Sequence, residues 1–339
     1  MLSFKIETFI KETWISVKKR AFGQEILDQT LIQLNLQHAV NLFGIRVRTS
    51  RGRCKWLHLR NTISVEFKNY TALTLRVKFY IQPQQLDVNT RKYLYRQLLQ
   101  DLRDGTLKPS SQEQAIQLVT LIAQAHHGPG SERNTIADSI FETYCKMLTP
   151  ETEVSEDVLQ RIMGFCKKMS GLSKRQAQMK LLELASTLPL YGFERHVTGN
   201  TLGIIALLIG SSGLKIEYDR HERNLSIPFS EMMSISQDGG KVDINTCQVG
   251  QSPRCLRVRM CDKDQANAAY RSLGEMKTFY HDDEVPASVR DMTEQSFIGK
   301  KYVFDVTATL RQIEDYAQRS HNTMRIVREV VDSFSRGTF

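Results

Sequence analysis

The chain contains 339 residues, of which 41% are hydrophobic and 24% charged, and this is enough for two or three domains that each bury a core. Its longest apolar run, at residues 202–210, is less than half of a membrane span, so we expect no membrane-spanning helix. The N-terminus MLSFKIETFIKETW has no apolar segment of the kind that a secretory leader needs, so we expect no leader. The six cysteines show no CxxC or other zinc-ligand spacing, which excludes a zinc finger and favours reduced thiols.

The net charge of +9 is concentrated at one end of the chain. Residues 1–82 carry 14 Lys and Arg against 5 Asp and Glu, so the charges of the remaining residues cancel. Such an asymmetry indicates an N-terminal region that meets an anionic surface, either nucleic acid or the inner leaflet of a membrane.

Residues 1–82 follow the pattern of a small mixed fold. ISVKK, FGIRVR, WLHLR and LTLRVKFYI alternate as strands do, and GQEILDQTLIQLNL places Leu27, Leu31 and Leu34 on one helical face. Strands before and after a single helix are the order of a ubiquitin-like fold. In FGIRVR, apolar and basic residues alternate, so the two arginines are predicted to point outward.

The stretch SRGRCKWLHLR, at residues 50–60, holds five basic residues and no acidic one. Gly52 is predicted to form a turn, and Leu57 and Leu59 to share the core face of the following strand. Nucleic-acid binding needs aromatic or polar base readers, and Trp56 alone is thin support for it.

We therefore predict that basic residues of this lobe form an anionic-lipid patch, with a merely solvated strand face as the alternative. The predicted patch consists of Lys18, Lys19, Arg20, Arg46, Arg48, Arg51, Arg53 and Lys55.

Between residues 87 and 188 the hydrophobic period becomes helical. Leucines at four-residue steps lead to Gly105, which is predicted to end a first helix. A second helix should begin at Ser111, whose spacing to Gln114 predicts a capping box, and end at Gly128. Two further helices are predicted at residues 136–148 and 173–187, and an uncertain piece lies at 157–168.

Strand patterns return from Tyr191 to about Asp262. YGFERHV, LGIIALLIG, GLKIEYD, LSIPF, MMSISQD, KVDINTC and CLRVRMC read as seven short strands, and residues 263–281 then read as one amphipathic helix. Seven strands closed by a C-terminal helix are typical of pleckstrin- and phosphotyrosine-binding-type (PH-like and PTB-like) domains. The predicted domains are a ubiquitin-like lobe at 1–82, a helical bundle at 87–188, the PTB-like lobe at 189–281 and a tail with a helix at 282–339.

The PTB-like lobe is predicted to carry a peptide-binding groove. Such a lobe leaves a sheet edge beside its helix, where an extended peptide can add main-chain hydrogen bonds. A glycine within the helix, Gly274, costs about 1 kcal/mol relative to alanine and indicates a close approach there. The alternative is that Tyr270 and Leu273 merely seal the sheet. The candidate groove residues are Met232, Met233, Ser234, Ile235, Ser236, Ala266, Tyr270, Leu273, Gly274 and Lys277.

This order of lobes resembles the FERM module of band 4.1, ezrin, radixin and moesin. LRVKFYIQP resembles the end of its first lobe, YLYRQLLQDLRDGTLKPSSQEQAIQLVTLIAQAHHG the signature of its second, and GLSKRQAQMKLLELASTLPLYGFERH the passage into its third, so that about residues 1–310 are covered. The resemblance implies an α+β cloverleaf of three lobes. It also implies a cytoplasmic adaptor, peripheral at the plasma membrane or cytoskeleton, whose partners are receptor-tail peptides, anionic lipids and cytoskeletal proteins.

Within that family, FGIRVR, WLHLRNTI, LRVKFYIQP and GKKYVFDV are most similar to ubiquitin ligases of the myosin-regulatory-light-chain-interacting type, which degrade lipoprotein receptors. Those ligases end in a RING with closely spaced Cys and His ligands, and this sequence has no such spacing. The resemblance therefore implies the substrate-recognition part of such a ligase. The alternative is a cytoskeleton–membrane linker or scaffold with no ubiquitin role, and a RING encoded beyond Phe339 would decide for the ligase.

Catalytic motifs fail one by one. The sequence has no GxGxxG, GxxxxGK[ST] or HExxH, and GSSGL has Leu214 where a nucleophile elbow needs glycine. His126 and His127 are adjacent, but on a helix their side chains diverge by roughly 100° and cannot share a metal ion. We expect no catalytic site, cofactor or metal within these residues.

Overall fold

The computed structural model describes residues 1–50, 52–63, 70–128, 156–201, 203–219, 225–247 and 252–281. Arg51, the helix predicted at 136–148 and the predicted tail at 282–339 lie outside these ranges. The described chain forms two compact units, one made of residues 1–8, 12–79 and 192–281 and the other of residues 9–11 and 80–191. Among the helices described, none has both the length and the apolar character needed to cross a bilayer.

The N-terminal part of the first unit folds as strands around one helix. β1 pairs with β2, β3 lies between β4 and β5, and a parallel bridge between Glu7 and Thr74 joins β1 to β5. The mixed sheet therefore runs in the order β2-β1-β5-β3-β4. Its elements are β1 (Leu2–Ile6), β2 (Thr13–Val17), α1 (Gly23–Leu34), a 3-10 helix (Gln37–Leu42), β3 (Phe43–Thr49), β4 (Cys54–Trp56) and β5 (Tyr70–Val77).

Alternation along β3 is as predicted. Ile45 and Val47 are fully buried, whereas Arg46 is half-buried and Arg48 exposed. The same two-residue period holds along β2, where every second residue from Thr13 to Val17 is buried.

The predicted strand WLHLR is wrong beyond its first residue. β4 ends at Trp56, and Leu57 and His58 are both buried, whereas Leu59 is half-buried in a turn. The chain leaves the sheet here because its carbonyls receive the first N–H groups of α1. Gln24 N donates to Leu59 O over 2.8 Å.

The second unit is helical. Its elements are a 3-10 turn (Pro83–Gln85), α2 (Val88–Arg103), α3 (Gln112–His127), α4 (Glu156–Met169) and α5 (Lys174–Ser186), and α3 packs against both α4 and α5. Gly105 and Gly128 follow α2 and α3 with positive φ angles of 67° and 79°, as helix-ending glycines do. Ser111 caps α3 by accepting from Gln114 N, but the Gln114 side chain accepts from Ser110, so the predicted reciprocal box is only half formed.

The C-terminal part of the first unit contains the seven predicted strands and the predicted helix. Four strands form one antiparallel sheet, β6-β7-β8-β9, and three form another, β10-β11-β12. Ile209, Ile244 and Val258 lie fully buried among them. The elements are β6 (Glu194–Thr201), β7 (Ile204–Gly210), β8 (Gly213–Tyr218), β9 (Leu225–Ile227), β10 (Met232–Asp238), β11 (Lys241–Thr246), β12 (Arg254–Arg259) and α6 (Lys263–Tyr280).

Candidate functional site

The first wall of the predicted groove is β10. Within the described ranges, β10 pairs with β11 along one edge and has no strand along the other. Met232 and Ile235 are buried in the core, while Ser236 is exposed and Met233 is 58% exposed. A bulge in the register between Met232 and Ser234 accounts for the outward turn of Met233. This edge combines main-chain donors and acceptors with one apolar side chain.

The second wall is α6, which packs beside β10. Ala266 and Leu273 are fully buried and Gly274 is buried too, so these three predicted residues belong to the core of the lobe. Tyr270 and Lys277 are half-buried and lie two helical turns apart on one face. Burial raises the pKa of Tyr270 to about 12, so its hydroxyl remains protonated.

Another face of α6 meets the N-terminal part of the same unit through a polar network around Glu194. The Trp56 indole Nε1 donates to Glu194 Oε1 over 2.5 Å, and Ser272 Oγ donates to Oε2 over 2.8 Å. His196 Nε2 lies 3.3 Å from the same Oε2. Glu194, on β6, therefore links β4 to α6. Its side chain is largely buried, at 18% exposed.

Lys78 extends this network. Its side chain, 9% exposed, forms an ion pair with Glu275, which Arg271 also approaches, at 3.4 Å. Burial lowers the pKa of Lys78 to about 7; Glu194 opposes the shift and Arg271 adds to it. For Glu194, burial would raise the pKa, but the hydrogen bond and charge of His196 and the charge of Lys78 hold it below its usual value. The Glu194 network, as we name it, consists of Trp56, Lys78, Glu194, His196, Arg271, Ser272 and Glu275.

The described members of the predicted lipid patch lie on two faces of the sheet and in a separate turn. Arg46 and Arg48 pair in register with Trp56 and Cys54, whereas Lys55 pairs with Val47 on the opposite face of the sheet. Lys55 lies over the Tyr70 ring, and Arg53 forms an ion pair with Asp262 at the start of α6. The exposed residues Lys18, Lys19 and Arg20 occupy the separate turn after β2.

The Glu194 network could not be predicted from the sequence. The only signal was a lysine, Lys78, directly after the strand LTLRV, at a position where the chain re-enters the core. Its partner Glu275 is 197 residues away, so no local pattern could pair them. Buried His58 was missed as well; burial, together with the charges of nearby cations including Arg271, lowers its pKa to about 2.

Comparison with known proteins agrees with the predicted FERM resemblance, whereas the finer resemblance to the ubiquitin ligases stays a prediction. Residues 81–196 match the family model of the FERM central domain. Band 4.1-like protein 2 of Mus musculus is 28% identical over 295 residues, which are 84% of this chain and 28% of that protein. Band 4.1-like protein 3 of Homo sapiens is 30% identical over 269 residues, which are 78% of this chain and 24% of that protein. The chain thus spans about a quarter of the length of these relatives.

Solved structures give the same result for the fold. The FERM and C-terminal domain complex of Drosophila Merlin superposes with a TM-score of 0.67 at 18% identity, covering 83% of this chain and 96% of that one. The human Myosin 7b C-terminal MyTH4-FERM domain, solved in complex with the harmonin-a PDZ3 domain, gives 0.59 at 16% identity and covers 82% and 59%. The chain therefore has a FERM-type α+β fold.

Proposed function

We propose that this chain is a FERM adaptor that docks peripherally on a membrane and holds the cytoplasmic tail of a receptor between β10 and α6. The observation that carries the proposal is the β10 edge, which has no strand partner among the described residues and lies beside α6. An extended peptide can pair with such an edge, because every second residue of the peptide directs its N–H and C=O groups toward the edge and supplies the missing donors and acceptors.

The chemistry of the two walls specifies the peptide. Met233 on β10 is 58% exposed and Tyr270 on α6 is half-buried, so both strand and helix offer apolar surface, which favours an apolar side chain on the bound segment. Lys277 lies two turns beyond Tyr270 and favours an acidic or C-terminal group there. On a partly exposed helix such an ion pair contributes at most about 1 kcal/mol, so the apolar contact should dominate affinity.

Among receptor tails, we propose those of lipoprotein receptors, with the chain acting as the substrate-recognition part of a RING-type ubiquitin ligase. The sequence motifs FGIRVR, LRVKFYIQP and GKKYVFDV support this assignment. A second candidate is a cytoskeleton–membrane linker, which the similarity to band 4.1-like proteins and to Merlin favours. Titration with lipoprotein-receptor tail peptides and with tails of band 4.1 partners separates the two, because the preferred peptide identifies the role.

Calorimetric titration of receptor-tail peptides tests the groove. We expect Tyr270→Ala to weaken binding by about 2 kcal/mol, or roughly thirtyfold, and Lys277→Ala by no more than fivefold. Val197→Ala is the matched control, since Val197 is an exposed apolar residue of the same lobe, on β6 and thus outside the groove. Thermal melts verify that each variant is folded. Unchanged affinity in a folded Tyr270→Ala protein would place the peptide elsewhere.

A further inference from the structure

The turn after β2 exposes three cations and an aromatic ring within five residues. Lys18, Lys19 and Arg20 are all exposed, and the ring-bearing Phe22 is 49% exposed. Within the part of the chain that the structure describes, no carboxylate pairs with any of the three cations. A surface of this kind complements an anionic partner that also accepts an apolar group.

The turn is held in place by its backbone. Ala21, between the cations and Phe22, is 2% exposed, and its carbonyl accepts from Ile63 N over 2.9 Å. Ala21 N donates to Lys18 O at 2.9 Å, which closes the turn. Anchoring on both sides of the cations means that their presentation is fixed by the fold.

Phe22 stands at a helix N-cap, where phenylalanine is less stabilising than a polar residue. It is the N-cap of α1, where Ser, Thr, Asp or Asn is preferred because a side-chain oxygen can accept from the first turn. Phe22 offers no such acceptor, and Glu25 Oε1 accepts from its backbone N–H at 3.0 Å. A half-exposed ring at this position departs from the N-cap preference. Departures of this kind are expected at functional surfaces.

The start of α1 does not itself bind an anion at this point. Gly23 N donates to Asn61 O over 3.0 Å, and Gln24 N donates to Leu59 O over 2.8 Å. These donors are already used, so the anionic partner must be bound by the side chains. One ring without polar base readers beside it does not suit nucleic acid.

We propose that the Lys18–Phe22 turn is a bilayer anchor, in which the three cations meet the phosphates of anionic lipids and the Phe22 ring enters the headgroup boundary. Basic residues near an anionic leaflet and an apolar ring at its boundary both add to binding. The inference rests on the membrane docking proposed above and assigns it to this turn rather than to the Arg46 and Arg48 face of the sheet.

The test is co-sedimentation of the full chain with phosphatidylcholine vesicles that contain or lack phosphatidylserine. We expect Phe22→Ser to weaken binding to the anionic vesicles about fivefold to tenfold. The same change supplies a better N-cap, so thermal stability should be equal or higher. Lost binding with retained stability therefore separates an anchor from a packing residue. Combined replacement of Lys18, Lys19 and Arg20 by Ala should weaken binding to the anionic vesicles roughly a hundredfold and leave the weak binding to neutral vesicles unchanged.

Two further variants distinguish this anchor from the docking proposal as a whole. Ile32→Ser is the matched control, because Ile32 is 50% exposed on the same helix but about 15 Å from Phe22 along its axis, and we expect no change. The second variant combines Arg46→Glu with Arg48→Glu. If this double variant loses binding to the anionic vesicles while Phe22→Ser binds as the wild type does, the anchor is refuted and the docking proposal stands. If the wild-type chain binds vesicles with and without phosphatidylserine equally, both the anchor and the docking proposal are wrong.

Discussion

The hydrogen bond from Trp56 to Glu194 gives the sharpest test of the network that joins the two parts of the first unit. In Trp56→Phe, Glu194 loses the indole donor at 2.5 Å but keeps Ser272 and His196 as neighbours. A hydrogen bond to a charged group contributes about 1.5–3 kcal/mol, and the smaller ring loses packing worth about 1 kcal/mol. We therefore expect the free energy of unfolding to fall by about 2.5–4 kcal/mol.

The measurement is urea unfolding followed by far-ultraviolet circular dichroism, which reports on the helices and does not depend on which tryptophan remains. Trp14→Phe is the matched control: the chain has two tryptophans, and Trp14 is 63% exposed on β2. Its replacement should change stability by less than about 0.5 kcal/mol. A double-mutant cycle with Glu194→Gln should give a coupling energy of at least about 1 kcal/mol. Equal midpoints for the Trp56→Phe and Trp14→Phe proteins would refute the reasoning.

Two further predictions concern single side chains. Asp28 is 4% exposed, its Oδ2 has no hydrogen-bond partner among the described residues, and burial raises its pKa from 3.8 to about 7. Because the folded pKa lies above the unfolded one, the wild type loses stability as pH rises from about 4 to 7, whereas Asp28→Asn should not. The free energies of unfolding of the two proteins, measured in urea, should diverge over this window by a few kcal/mol, at most about 4. Equal slopes would exclude Asp28 as the titrating group. Asp87 caps α2 by accepting from Asn89 N at 2.8 Å and Thr90 N at 3.1 Å. Asp87→Ala should destabilise the helical unit by about 1 kcal/mol in thermal melts, and Asp87→Asn, which keeps the acceptor, should not.

Elements set by local periodicity could be predicted from the sequence. The buried and exposed residues of β3 alternate because the two-residue period of a strand matches one core and one outer face. The seven C-terminal strands were found because each is bounded by turn residues. Leu59 was misplaced because its position depends on hydrogen bonds from α1, which the strand pattern does not contain.

The candidate groove could be predicted only in part. An edge strand beside a helix follows from the order of elements, and β10 has that place within the described residues. Helical spacing alone could not predict that Ala266, Leu273 and Gly274 are buried while Tyr270 is only half-buried. Which residues of α6 face inward depends on the angle at which α6 crosses the two sheets. The exposure of Met233 depends on a β-bulge, which could not be predicted from the sequence pattern.

α6 contacts three different surroundings, and this links the groove to the Glu194 network. The helix packs beside β10 and carries the half-buried Tyr270, Leu273 is fully buried in the core, and Glu275 forms an ion pair with Lys78. Without Lys78 and Trp56, the largely buried carboxylates of Glu275 and Glu194 would each lose a donor, and a buried charge without its partner is costly. The N-terminal part of the unit therefore stabilises the helix that would form the second wall of the proposed groove, and it does so through residues that lie outside that groove.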